Sequence, residues 1–288
     1  SIEIVETITA PGSADRVNED NFGKNEFCAF VIDGATGLGD RQFMDERGSD
    51  AAWLASKAAD YFVSNVTADR DLIDIVRALI QEAASEFSAA AQSETMPRYA
   101  WPSASFAMLH RQGPEIWFSG LGDCTLFLES SEGVCILNPM SKFAGIESAS
   151  AARHIDRIGG LSTKTNLLHD PETIQDLRTV RSLQNTETSG VWTLGLEPQA
   201  ADHLWSQQIK EVGSFDALLC SDGFSALVES YECYAANDFV SAAKQRGLEY
   251  LMSELRRLET EVDPDGQKFP RFKRSDDATA VLLHARIE

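Results

Sequence analysis

Residues 104–137, ASFAMLHRQGPEIWFSGLGDCTLFLESSEGVCIL, decide the fold. Four apolar segments of strand length, 104–110, 115–120, 125–129 and 133–137, follow one another closely in this stretch. The turns RQGPE and ESSEG carry the Gly, Pro and Ser residues of hairpins, so successive strands are expected to run antiparallel.

Working outward, residues 2–9 (IEIVETIT) alternate like a half-buried strand, and 27–32 form a short apolar run that reads as another. Residues 50–63 and 72–91 carry apolar side chains at three-and-four spacing, which predicts two amphipathic helices, the second capped by Asp69 or Asp71. Downstream, 138–188 is polar and Ser-rich with one predicted helix at 171–183, and it reads as an insertion. Strand patterns return at 191–194, 203–209 and 215–220, a helix is predicted over 238–258, and a last strand over 278–286. This order suits an α+β fold, a sandwich of antiparallel sheets with outer helices, better than a βαβ alternation. With 288 residues, 43% of them hydrophobic, one domain spanning 1–288 can bury a sizeable core and carry the 138–188 insertion.

Lys+Arg 25 against Asp+Glu 45 gives a formal net charge of −20, which disfavours nucleic acid or an anionic membrane as partner. Such acidity fits a protein that holds cations, and equally fits simple solubility. The five cysteines are widely spaced, form no CxxC pair and sit mostly in apolar runs, the pattern of reduced, buried small hydrophobes. No basic-then-apolar leader and no run approaching the roughly 20 apolar residues of a membrane span is present, so a cytoplasmic location is expected.

Four aspartates stand beside apolar strand-like segments: Asp33 in FAFVIDGATG, Asp123 in IWFSGLGDCTLFL, Asp222 in ALLCSDGF and Asp276 in RSDDATAVLLH. A carboxylate beside a core loses hydration unless something positive shares it, and several converging would make a divalent metal site. Mg²⁺ and Mn²⁺ want octahedral oxygen ligands, and a pair of such ions clamps a phosphoryl group for in-line attack. Any single Asp-Gly is also ordinary turn chemistry.

The ordered set RVNEDNFG, FVIDGATG, GLGD, CSDGF and SDDATAVLL resembles the metal-dependent serine/threonine protein phosphatases of type 2C, the PPM family, in its bacterial form. The resemblance covers about residues 10–286 and leaves 138–188 without a motif. It implies a β-sandwich flanked by helices on both outer faces, two Mg²⁺ or Mn²⁺ ions between the sheets with room for a third, and a water nucleophile bridging the metals. Residue by residue, Asp33 resembles the bridging carboxylate and Gly34 the donor of a backbone carbonyl to one ion. Glu19 would bind that ion directly or through water, and Asp20 would orient a water of the metal shell. Asp222 and Asp276 resemble the ligands of the other ion, and Asp123 an acid that holds the third with Asp222. Arg16 is the candidate to grip substrate phosphate, since a guanidinium offers forked donors to two oxygens. Asp277 is expected to support its neighbour rather than ligate, because adjacent strand residues point to opposite faces, and Thr279 is expected to be structural.

The chain also departs from the family pattern. Ala35 stands where many eukaryotic members have a histidine, Ala226 where an aspartate is usual, and the spacing from Arg16 to Glu19 is one residue short. His154, in the insertion, is expected at the surface. The insertion falls where the family carries a flap, and its basic pair Arg153 and Arg157 is expected to shape substrate choice, unless the segment only covers a sheet edge. The cluster KFPRFKRSD before Asp276 could draw in an anionic substrate or be a solvated loop. The function expected is hydrolysis of phosphoserine or phosphothreonine in proteins. Two alternatives stay open: a phosphatase of a small phosphorylated metabolite, and a non-catalytic phosphatase-like module that binds a phosphoprotein.

Overall fold

The computed structural model describes residues 1–162, 166–210 and 213–287. Two five-stranded antiparallel sheets form its centre. One has the order β1-β10-β9-β6-β7, from β1 (Ile2–Ala10), β6 (Thr125–Ser130), β7 (Gly133–Leu137), β9 (Ser214–Cys220) and β10 (Ala278–Arg286). The other has the order β2-β3-β4-β5-β8, from β2 (Asn21–Lys24), β3 (Cys28–Gly34), β4 (Ala104–Gln112), β5 (Glu115–Leu121) and β8 (Trp205–Ile209). The stretch that decides the fold therefore supplies two hairpins to different sheets, β4–β5 and β6–β7, and the Gly122-Asp123 turn carries the chain from one sheet to the other.

Strand parity sorts the side chains into three apolar layers. Ala29 and Val31 of β3, Ala107 and Leu109 of β4, Ala217 and Leu219 of β9 and Val281 and Leu283 of β10 meet between the sheets. Phe30, Ile32, Phe106 and Met108 face the other way, onto helices α1 (Asp50–Asn65) and α2 (Leu72–Ala90). Leu218, Cys220, Ala280 and Leu282 face α5 (Asp222–Glu229), α6 (Ala236–Arg246) and α7 (Leu248–Arg257). Strands buried on both faces read as continuous apolar runs, which is why 27–32 lacks alternation. Helices thus cover both outer faces, as expected from the sequence.

Local signals explain the elements well. Ser49 accepts a hydrogen bond from the Ala52 amide to cap α1, and Asp71, rather than Asp69, caps α2 through the Ile73 amide. A bulge between Ile4 and Glu6 breaks the simple alternation of β1. Ile2 and Ile4 pack between the sheets, whereas Ile8 and Ala10 pack on the helical side.

Four predicted elements differ. Residues 238–258 form two helices, because Gly247 (φ 83°, ψ 155°) takes a conformation that only glycine adopts readily. The segment 191–194 contributes only one bridge, Leu194 to Ala104, rather than a strand. Helix α5 begins at Asp222, where the sequence suggested only a turn. Among its described residues the insertion holds two α-helices, α3 (Ile146–Ile158) and α4 (Pro171–Ser182), with a small core of Ala151, Ile155, Leu161, Leu167 and Phe272. Among the described residues, no helix is long and apolar enough to cross a membrane.

Candidate metal centre

The acidic residues come together at one end of the sandwich because each stands where a strand stops. Asp33 shares the parity of Ala29 and Val31 in β3, so its side chain points between the sheets at the strand's last turn of pleat. Asp222 follows β9 as the first residue of α5, and Asp123 lies in the crossing from β5 to β6. Carboxylate oxygens of Asp33, Asp123 and Asp222 all lie within 4.8 Å of one another. The Asp222 amide donates to Asp33 Oδ2 at 3.2 Å, which ties the two sheets together at the site.

Glycines permit this convergence. A Cβ on Gly34 would lie 2.4 Å from the Glu19 carbonyl oxygen, and one on Gly223 would lie 2.0 Å from the Asp277 carbonyl oxygen. The glycines after Asp33 and Asp222 are therefore demanded by close backbone approach, not by a turn.

Around the three aspartates, each remaining acid has a distinct environment. The Glu19 carboxylate accepts from Thr36 Oγ1 at 2.8 Å and from Ser49 Oγ at 2.7 Å, which sets its orientation from both sides. Asp123 accepts from Ser105 Oγ at 2.7 Å. Asp276 lies outside the three-acid cluster and is paired with Lys273 Nζ at 2.5 Å. Asp277 accepts from the amides of Gly12 at 2.8 Å and Glu19 at 2.7 Å, so it braces the acidic loop against β10. Thr279 likewise bonds Thr9 Oγ1 at 2.8 Å, a structural tie.

Asp20 is the odd member. It is buried at 8% exposure, and neither carboxylate oxygen is hydrogen-bonded by a described residue, although the Ser221 and Thr279 hydroxyls stand near enough to act on its charge. Burial pushes its pKa up to about 7, with Asp277 and Asp276 adding to the rise and the two hydroxyls opposing it. Burial first, then the charges of Asp222, Asp20 and Asp123, holds Asp33 well above the usual carboxylate range. Asp222 is raised in the same way, by burial and then by Asp123 and Asp276. Converging carboxylates, the buried Asp20 oxygens and these upward shifts together mark a concentration of negative charge at this end of the sandwich. An all-oxygen donor set of this kind fits a hard divalent cation.

Other expectations fare differently. Arg16 is exposed, and only its backbone amide, bonded to the Ser13 carbonyl at 3.2 Å, is engaged. His154 is buried at 4% exposure, not at the surface; it packs near Phe272, with Nε2 3.2 Å from Asp176 and Nδ1 3.4 Å from Arg157. Arg157 is committed to Asp170 at the N-terminus of α4, and Arg153 reaches only Ser150. The basic cluster before Asp276 is largely spent inside the fold. Arg271 pairs with the buried Asp263 at 2.7 Å, Arg274 donates to the Thr260 carbonyl, and Lys273 holds Asp276.

Three contributors escaped the sequence reading. Ser105 sits opposite Asp33 in the β3–β4 register, a position that strand parity alone could have flagged. Asn138, the first residue of the insertion, donates to the Asp123 carbonyl at 3.0 Å and to Thr125 Oγ1 at 2.8 Å. Arg181 of α4 lies near enough for its charge to act on Glu147, Glu19 and Asp123, and no local pattern marks it.

No protein-family model matches this sequence, and no curated protein matches it. Solved structures do. The chain is similar to PppA, a key regulatory component of T6SS in Pseudomonas aeruginosa, at a TM-score of 0.55 and 14% identity, over 99% of this chain and 97% of that one. It is similar to the Mycobacterium tuberculosis serine/threonine phosphatase PstP/Ppp at 0.52 and 14%, over 98% and 97%. A structure of the PstP catalytic domain in complex with two manganese ions gives 0.52 and 13%, over 100% and 99%. The α+β sandwich described above is therefore the fold of serine/threonine phosphatases of type 2C. At such identities the likeness extends to fold.

Proposed function

We propose that this protein is a divalent-metal-dependent phosphomonoester hydrolase acting on phosphoserine and phosphothreonine in proteins. The observation that carries the reading is the meeting of Asp33, Asp123 and Asp222 within 4.8 Å at the mouth of this fold. That the similar PstP catalytic domain holds two manganese ions supports Mn²⁺ or Mg²⁺ as the group held. Asp33, Asp123 and Asp222 would hold it, with Glu19, Asp276 and the Gly34 carbonyl as further donors. When bound, such ions supply Lewis-acid polarisation of the phosphoryl oxygens and a water of lowered pKa.

The chain's own residues do the rest. Thr36 and Ser49 keep the Glu19 carboxylate in one orientation, and Ser105 does the same for Asp123. Asp20, whose carboxylate oxygens have no hydrogen-bond partner among the described residues, would orient the attacking water. Arg16 stands at the rim, together with Glu19 and Lys273. Because Ala35 replaces the usual histidine and His154 is engaged within the insertion, solvent is left to protonate the leaving alkoxide. We take 1–288 as one catalytic unit, with 138–188 as its site-covering insertion, and its burial of Cys28, Cys124 and Cys220 agrees with a cytoplasmic setting.

Hydrolysis of p-nitrophenyl phosphate with and without Mn²⁺, repeated with Asp33→Ala, tests the proposal. Metal-dependent turnover that disappears in the variant is the expected result; no turnover by the wild type overturns it. Faster turnover of a sugar phosphate than of phosphopeptides would redirect the reading to a small phosphorylated metabolite.

A further inference from the structure

Among its described residues, the insertion brings a cation, Arg181, within reach of the acidic site. Helix α4 is fastened to the loop that follows Asp33 and Gly34. Arg178 Nε donates to the Leu38 carbonyl at 2.9 Å, its Nη2 to Asp40 at 2.7 Å, and its guanidinium lies 4.8 Å over the Tyr99 ring. Residues three apart share a helix face, so Arg181, one turn further, is directed to the same side. There its charge acts on Glu147, Glu19 and Asp123.

The state of that guanidinium matters more than its position. Arg181 Nη1 is buried and has no hydrogen-bond partner among the described residues. Among the described residues none of these acids forms a hydrogen bond or close ion pair with it: Glu147 acts on it most but only at longer range, Glu19 is held by two hydroxyls and Asp123 by Ser105. A buried donor without an acceptor is costly, and each such group in a native protein calls for an explanation. Lys273, the other half-buried cation at the site, is already held by Asp276, and Arg157 by Asp170. Arg16 is exposed.

We propose that Arg181, delivered by the insertion, is the residue that grips the non-bridging oxygens of the substrate phosphoryl group. The inference rests on the phosphomonoesterase reading above. A guanidinium presents forked donors to two such oxygens, and phosphate would satisfy the unpaired Nη1 while its charge is balanced. Substrate capture then depends on the docking of α4, so the insertion becomes part of the phosphate site rather than a cover beside it.

The test compares Mn²⁺-loaded wild type with Arg181→Gln, Arg181→Lys and Arg16→Ala, reading kcat and KM for p-nitrophenyl phosphate and the inhibition constant of inorganic phosphate. Loss of one charge-assisted contact is expected to raise KM and the phosphate inhibition constant roughly tenfold or more in Arg181→Gln. Arg181→Lys should recover part of this, and Arg16→Ala should change both less. Mn²⁺ affinity by calorimetry should not fall in Arg181→Gln, because losing a positive charge near Glu19 and Asp123 favours the cation, whereas a merely structural role predicts a loss. Values for Arg181→Gln within twofold of an active wild type overturn the inference and leave the phosphatase reading standing. If the wild type shows no turnover, the phosphatase reading fails on its own. Phosphate binding by calorimetry then decides: loss in Arg181→Gln supports the site, and equal or absent binding in both proteins overturns it.

Discussion

A single carboxylate or imidazole here is defined by what burial does to it. His110, 5% exposed in β4, bonds Ser119 through Nε2 at 2.9 Å, and burial lowers its pKa from 6.5 to about 4. Its folded-state pKa is depressed, so the unfolded chain binds the proton first. Stability contributed by neutral His110 is complete above about pH 6.5 and is lost as pH falls toward 4. The loss approaches about 3 kcal/mol at ~1.4 kcal/mol per unit. Urea unfolding across this window should show a shallower pH slope for His110→Gln than for wild type; parallel slopes would refute the assignment. The same burial effect made the aspartates legible: Asp33, Asp123 and Asp222 could be picked out because acids beside strand-like runs need a reason. Arg181 could not, since an arginine in a polar helix looks like any solvated charge until its partner, or lack of one, is known.

At the level of elements, periodicity recovered most strands and helices because each buries a definite face. The hairpins of 104–137 and the last strand are nearly as the pattern predicted. The failures share a cause: a backbone event interrupts a continuous pattern. Gly247 splits 238–258 into α6 and α7, and the apolar spacing on both sides still points to the same sheet. Replacing Gly247 with alanine forces a side chain into φ 83°, ψ 155°, and should cost about 1–3 kcal/mol in denaturant unfolding. An unchanged midpoint would show that the break is not strained. Helix α3 was missed because few of its side chains are buried, leaving a weak apolar signal in an otherwise polar insertion.

For the whole molecule, fold and charge oppose each other at one end of the sandwich, and a bound cation should reconcile them. Mn²⁺ at about a hundred times its dissociation constant should stabilise the folded state by about 2.7 kcal/mol, a rise of several degrees in Tm. Asp33→Asn removes a charge that burial and three neighbouring acids hold at high energy. Its metal-free Tm should therefore match or exceed wild type, while the gain on adding Mn²⁺ shrinks; scanning calorimetry reads both, and an equal gain would exclude Asp33 from the metal site. What the sequence alone determined was the sandwich and its acids, because strand period, turn residues and unexplained carboxylates are local signals. Tertiary structure alone decided which charges are free to act. Asp276 is bound by Lys273, Arg157 by Asp170 and Arg271 by Asp263, whereas a buried nitrogen of Arg181 is left without an acceptor. The three pairs span only 3, 13 and 8 residues of sequence, yet which acid each cation takes depends on how its loop or helix folds back, and an acid-rich sequence offers each several candidates.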